Sequence, residues 1–397
     1  MKYPSAILGD LLEANPRFEK GDKPSEEELV SFVPMSSVSE KTLSITETID
    51  RPYHEVRKGF TPFKTGDVLI AKITPCFENG KMALVENLPR ELGFGSTEFH
   101  VFRPGKRIFP RYLFHLLRSP FVRASGKLKM KGAAGQRRVP VDFFTRLTIP
   151  LPPLAEQKRI AAILDAADEL RAKRREAIAQ LDVFLQSTFI EMFGDPVTNP
   201  KGWPVVNFED AVYFQEGPGI RKWQFRNKGI KLVNIRNIVD GELVLTNTEK
   251  YLDPDEVSRT YSHFLLDAGD LVMSSSGVTW GKIAYVKQQH LPLSLNTSMI
   301  RLRPQGGRIT HAFIRAFVES QAFRRQISRL ITGSAQPNFG PSHLRKIVIN
   351  LPPIDIQSHF EEIVASIEHQ KSLLNVHLAE LDTLFASLQH RAFNGEL

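Results

Sequence analysis

TIPLPPLAEQ at 148–157 is written again as VINLPPIDIQ at 348–357, two hundred residues further on. In each copy a short β-favouring run is stopped by two prolines. Proline lacks the amide donor that a central strand needs, and it restrains the residue before it. Beyond each pair, the stretches 155–193 and 355–393 hold neither proline nor glycine. Each copy therefore predicts a last strand, a sharp stop and a long helix.

Working outward, the duplication extends along the chain. FKTGDVLI (63–70) returns as LDAGDLVM (266–273), and GKMALV (80–85) as GKIAYV (281–286). FVPMSSV (32–38) aligns with LVNIRNI (232–238), FRPG (102–105) with LRPQG (302–306), and LDVFLQSTFIEMFG (181–194) with LDTLFASLQHRAFN (381–394). The offset stays between 200 and 203 throughout. Such order points to two equivalent modules about a pseudo-twofold axis, a C2 dimer imitated within one chain.

Each module reads as mixed α/β (α+β): short strands between turn signals, then one helical segment, 111–126 in the first copy and 310–331 in the second. The expected organisation is a module over 1–152, a helix over 153–195, a second module over 196–352 and a second helix over 353–397. Apolar residues recur every three or four positions, close to a heptad seam. The packing positions are Ile160, Ile163, Leu170, Ile178, Leu181 and Leu185 in the first helix. In the second they are Phe360, Ile363, Ile367, Leu374, Leu378, Leu381 and Phe385. At 1.5 Å per residue each span would be about 58 Å long. Packing the two stripes on each other gives an antiparallel coiled coil with a module at each end. Arg174, Arg175, Gln370 and Lys371 interrupt the seam, which sets register or marks a face partly exposed to solvent or covered by another subunit.

The 397 residues are 42% hydrophobic and 24% charged, a globular composition large enough for two to three domains. The single cysteine, Cys76, excludes an internal disulfide framework and a cysteine-rich metal cluster. No leader-like start and no long apolar run occur, so a cytoplasmic protein without a membrane segment is expected. The net charge of +8 favours an anionic partner.

Catalytic signatures are missing. Asp67 and Asp270 each follow glycine before an apolar strand and read as turn residues, and Glu78 has no acidic counterpart in the second copy. Neither a phosphate-binding glycine loop nor a metal-binding histidine pair appears, so no catalytic, cofactor or metal residue is assigned. Basic and amide residues instead cluster in loops. One set is Lys129, Lys131, Gln136, Arg137 and Arg138; another is Arg221, Lys222, Arg226 and Lys228; the run of the second copy equivalent to the first set contains Arg329, Gln336 and Asn338 and is less basic. Lysine and arginine neutralise phosphates, arginine pairs with guanine edges, and glutamine or asparagine with adenine edges. Two diverged copies with different loop chemistry suit two different half-sites.

The doubled plan, with Leu151-Pro152-Pro153…Gln157 and Leu351-Pro352-Pro353…Gln357 opening the helices and the G-D-[VL]-[LV] and G-K-[MI]-A strands, resembles the specificity subunit of type I restriction–modification systems. Asn296-Thr297 is similar to that family's Asn-Gln pair, with threonine in place of glutamine, and the first copy has Ser96-Thr97. The resemblance implies two target-recognition domains separated by spacer helices, reading an interrupted site in double-stranded DNA. It also implies two modification methyltransferase subunits, which use S-adenosylmethionine to methylate adenine. Two restriction subunits using ATP and magnesium would join them, with no cofactor on this chain. Alternatives are a two-domain protein-interaction scaffold and a self-contained nuclease or methyltransferase, which would need a carboxylate set or a cofactor motif.

Overall fold

The computed structural model describes residues 3–17, 23–133, 135–246, 248–331 and 337–397. The chain forms two compact units, one from 1–177 with 374–397 and the other from 178–373. Each carries its own core and the same mixed plan, and within each a segment of one long helix pairs antiparallel with a segment of the other.

In the first unit, one antiparallel sheet runs in the order Leu12–Ala14, Phe99–Pro104, Val68–Ala71, Met82–Leu84. A second sheet holds Leu29–Val33 parallel to Leu92–Ser96. The second unit repeats both themes. Val212–Glu216, Met299–Pro304, Leu271–Ser274 and Ile283–Tyr285 form its antiparallel sheet. There Ile230–Val233 runs parallel to Leu293–Leu295. The proline-stopped strands are short: Thr148–Pro150 pairs with Ser5–Ile7, and Val348–Asn350 with Val205–Asn207.

The repeated aspartates do more than turn the chain. Asp67 accepts the Lys64 amide at 2.9 Å and also holds Arg103 through bonds of 3.0 and 2.8 Å. Asp270 accepts the Asp267 amide at 2.8 Å and holds Arg303 with its other contacts. The repeated lysines are matched as well. Lys81 donates to the Met35 carbonyl, and Lys282 donates to the Ile238 carbonyl.

The single helical segment expected in each module is divided. In the first unit it is Pro110–Leu117 and Pro120–Lys129, because Pro120 has no amide to continue the ladder and Ser119 caps the new helix. In the second unit it is His311–Glu319 and Gln321–Leu330. No proline intervenes there; Ser320 turns extended and accepts the Phe323 amide.

The long helices are Leu154–Phe193 and Ile354–Asn394. Gln157 and Gln357 explain the repeated glutamine that opens them. Both are fully buried. The Gln157 amide group accepts from the Phe109 N–H at 2.8 Å and donates to the Arg107 and Pro152 carbonyls at 3.0 and 2.8 Å. Gln357 accepts from Thr310 N–H at 3.0 Å and donates to the Arg308 and Pro352 carbonyls at 3.1 and 2.7 Å. Each side chain stitches a helix start to the loop that enters the module's preceding helices.

Within the first unit, 154–177 and 374–397 run antiparallel. Arg171 and Arg175 both reach Asp382, at 2.6 and 3.0 Å, and the Arg171 guanidinium lies 4.5 Å from the Phe385 ring centre. Within the second, 178–193 and 354–373 do the same: Lys371 meets Asp182 at 2.8 Å, and Phe360 packs on Phe189 and Phe193. Lys371 therefore interrupts the seam as half of an ion pair between helices.

The packing positions divide. Ile160, Phe360, Ile367 and Phe385 are buried, while Ile163, Ile178, Leu181, Leu185, Ile363, Leu374, Leu378 and Leu381 are half-buried. Leu170 departs from the expected seam and is 55% exposed. The buried line passes from Ala167 to Arg171, whose aliphatic stem and guanidinium cover the Phe385 ring in its place. Val376 and Leu384 in the first unit, and Val183, Phe184, Ile190 and Leu373 in the second, also face outward. Among the described residues no helix is long and apolar enough to cross a membrane.

Candidate nucleic-acid interface

In each unit, loops are laced together into a platform by backbone hydrogen bonds. In the second unit, Gly217 N–H donates to the Met299 carbonyl, and Thr297 Oγ1 to the Pro218 carbonyl at 2.8 Å. Ser275 N–H donates to Ser298, Phe339 N–H to Ser275 and Gly277 N–H to Pro337, each at 3.0 Å. Segments near 217, 275, 297 and 338 thus form one surface. Gly217 is required there, since a Cβ would stand 2.1 Å from the Asn296 carbonyl oxygen.

From this platform runs the loop bearing Arg221, Lys222, Arg226 and Lys228, all exposed. Its anchor is the buried Gln224, which accepts the Arg221 amide at 2.8 Å and donates to Glu256 and to the Tyr261 hydroxyl. The anchored turn leaves Trp223 73% exposed between the basic side chains. Val278, on the neighbouring loop, is 92% exposed. Neither was singled out from the sequence, although a tryptophan inside RKWQFR is an available signal, since aromatic faces among cations suit nucleobases. Asn338 is exposed on the segment bridged to Ser276. Gln336 lies outside the described residues.

The first unit builds the same surface from different side chains. Lys72 N–H donates to the Glu98 carbonyl at 2.8 Å, Val139 N–H to the Lys72 carbonyl and Thr74 N–H to the Arg137 carbonyl. Lys131 and Arg138 exchange both backbone hydrogen bonds. This brings Lys131, Gln136, Arg137 and Arg138 onto one loop, with Lys129 at the end of the preceding helix. The two arginines are not bare cations. Arg137 donates to Glu78 at 3.0 Å, and Arg138 grips Glu98 through bonds of 2.7, 2.9 and 3.2 Å. The lone Glu78 of the sequence is thus the counter-ion of a loop arginine. Arg138 holds the Glu98 carboxyl below its ordinary pKa.

Beneath the loop lies His100, nearly buried. Its Nε2 lies 2.9 Å from the Val139 carbonyl, so that nitrogen carries the proton, and Nδ1 accepts from Asn15 Nδ2 at 3.4 Å. Burial pushes its pKa down. A histidine lowered in this way contributes stability in full above its free value, about 6.5, and loses that contribution as pH falls through the folded value. The melting temperature is therefore expected to drop on acidification below about 6.5. His100→Gln should flatten that acid limb; an equally steep limb in the variant would remove His100 as its source.

Comparison with known proteins follows the same division. The family described as "Type I restriction modification DNA specificity domain" matches residues 6–180 and again 200–381. The chain belongs to this family. It is 40% identical over 184 residues to the type I restriction enzyme EcoAI specificity subunit of Escherichia coli, across 45% of this chain and 30% of that one. The corresponding EcoEI subunit is 36% identical over 184 residues, again across 30% of its length. These matches span less than a third of those relatives. The MjaVIII specificity subunit of Methanocaldococcus jannaschii is 25% identical across 93% of this chain and 85% of that one. The fold is shared with a chain from a structural study of complex assembly and conformational transition of the type I R-M system, at TM-score 0.57 and 19% identity, covering 100% and 98%. It is also shared with the type I restriction–modification S subunit from M. genitalium, at TM-score 0.53 and 14% identity, covering 98% and 96%.

Proposed function

We propose that this chain is the sequence-reading subunit of a type I restriction–modification complex, in which each unit reads one half of an interrupted site in duplex DNA. The observation that carries the reading is a contrast at one position of the repeated platform. Arg138 bridges Ile73 in the first unit, and Asn338 bridges Ser276 in the second. Arginine matches guanine edges and asparagine adenine edges, so one scaffold presents two chemistries. The reading modules are 1–152 and 196–352, with 153–195 and 353–397 as spacer helices. The loop lysines supply phosphate attraction. Methyl transfer and ATP-driven cleavage belong to partner subunits, two of each kind, and this chain chooses the site without chemistry of its own.

The outward apolar residues on the long helices, Leu170, Val183, Phe184, Ile190, Leu373, Val376 and Leu384, support docking of the modification subunits there. A scaffold of unrelated purpose would gain nothing from DNA. The deciding experiment is methylation profiling after reconstitution with the cognate modification subunit. An interrupted motif is expected; an active assembly that methylates without one overturns the proposal. Exchange of residues 1–150 for another module should change one half-site only, and insertion of a heptad near 171–177 should alter the spacer and not the bases.

A further inference from the structure

We infer that Glu98 presents Arg138 to a guanine, so that the carboxylate–guanidinium pair fixes one base of the half-site read by the first unit. This rests on the DNA-reading function proposed above and names the side chains that perform it.

The backbone under Arg138 is immobilised from two sides. It exchanges hydrogen bonds of 2.8 and 2.9 Å with Lys131, and its neighbours Arg137 and Val139 are tied to Thr74 and Lys72. Glu98 is fixed as well: its carbonyl accepts from Lys72 N–H, and its own amide donates to Ser96 Oγ at 3.2 Å. The two side chains therefore meet across two anchored strands of backbone.

Guanidinium has five N–H donors. Glu98 takes the edge formed by Nε and Nη2, and Nη1 donates to the Gln136 carbonyl at 3.2 Å. One N–H on Nη1 and one on Nη2 remain. Two donors on the two terminal nitrogens are what guanine accepts through O6 and N7. The Arg138 side chain is 44% exposed, whereas Glu98 is 26% exposed. The carboxylate is thus the more sheltered partner of the pair and the guanidinium the more exposed. Arginine's rotamer freedom is lost on folding and not on binding, which sharpens discrimination between bases.

The second unit supplies the contrast. The position equivalent to Arg138 is Asn338, and the position equivalent to Glu98, whose carbonyl accepts from Ser275 N–H, is Ser298. A carboxylate stands at this place in the unit that carries the arginine, and a small hydroxyl in the unit that carries the amide.

The test uses the full chain assembled with its modification subunits and a duplex library randomised across the recognised site, with base preference read position by position. Arg138→Lys keeps the charge but removes the fork. It should lower the preference for one guanine by about 5–100-fold, as expected for a bidentate base contact. Glu98→Gln should lower the preference at that same position by about 3–10-fold, leaving the other half-site and the salt dependence as in the parent. Thermal melting of each variant confirms that the fold is retained. The inference is overturned if Glu98→Gln leaves that position unchanged. It is also overturned if Arg138→Lys or Arg138→Ala weakens all sequences alike and reduces the salt slope, the mark of a phosphate contact. A parent assembly that selects no interrupted motif overturns the proposed function itself, a result distinct from an intact motif with an unmoved guanine.

Discussion

Phe360→Ala is expected to destabilise the second unit by about 3–5 kcal/mol, the usual range for removing a buried phenyl ring. The ring is 1% exposed and sits at the meeting of the two helix segments of that unit. Its centre lies 5.7 Å from Phe189 and 5.3 Å from Phe193, both in edge-on geometry, and Phe193 in turn packs on Phe313 at 4.8 Å. Truncation removes the apolar area, opens a cavity beside the Phe189 and Phe193 rings and breaks the aromatic contacts between the helices. Phe360→Leu fills most of the space and should cost about 1–2 kcal/mol. Urea unfolding followed by circular dichroism checks this. A loss under about 1 kcal/mol for the alanine variant would mean that the helices there are not held by that ring.

Gln157→Leu should cost about 2–4 kcal/mol, as should Gln357→Leu, because the substitution preserves bulk while taking the partner from three backbone groups, of which the Arg107 and Arg308 carbonyls belong to exposed residues where water partly replaces it. For Gln157 these are the Phe109 N–H and the Arg107 and Pro152 carbonyls. For Gln357 they are the Thr310 N–H and the Arg308 and Pro352 carbonyls. Each buried group left without a partner costs about 1–3 kcal/mol, partly relieved by local rearrangement. Amide hydrogen exchange reads the effect locally: Phe109 in one variant and Thr310 in the other should lose protection. The two glutamines share no partner, so the double variant should show nearly the sum of the two losses. Retained protection at Phe109 in Gln157→Leu would show that the stitch is replaceable.

These glutamines illustrate what the sequence makes visible and what it hides. Their repetition, close behind two prolines, located both helix starts. Their role was hidden, because two of the three groups each satisfies lie far earlier in the chain, in the loops that hold Arg107 to Phe109 and Arg308 to Thr310. Distance likewise hid the carboxylates of the reading loop: Glu78 and Glu98 are separated from Arg137 and Arg138 by 59 and 40 positions, and nothing local associates them. Periodicity carried the long helices but overstated the seam at Leu170, where a long cationic side chain one position on does the covering. It also ran through Ser320, whose hydroxyl breaks the ladder without a proline to announce it. Duplicated residues such as Asp67 and Asp270 were legible as turns. That they also hold Arg103 and Arg303 required the sheet register that sets those strands side by side.

The division of the chain between the two units has a consequence for biosynthesis. The unit formed by 178–373 is contiguous, so it can close as soon as that stretch has left the ribosome. The unit begun by the first residues cannot. Its interior includes Phe385 and Ala392, with Leu388, Phe393 and Leu397 packed against it. Residues 1–177 must therefore wait, with their apolar surface incomplete, for residues 374–397. Nascent chains are most exposed to misassociation during that interval.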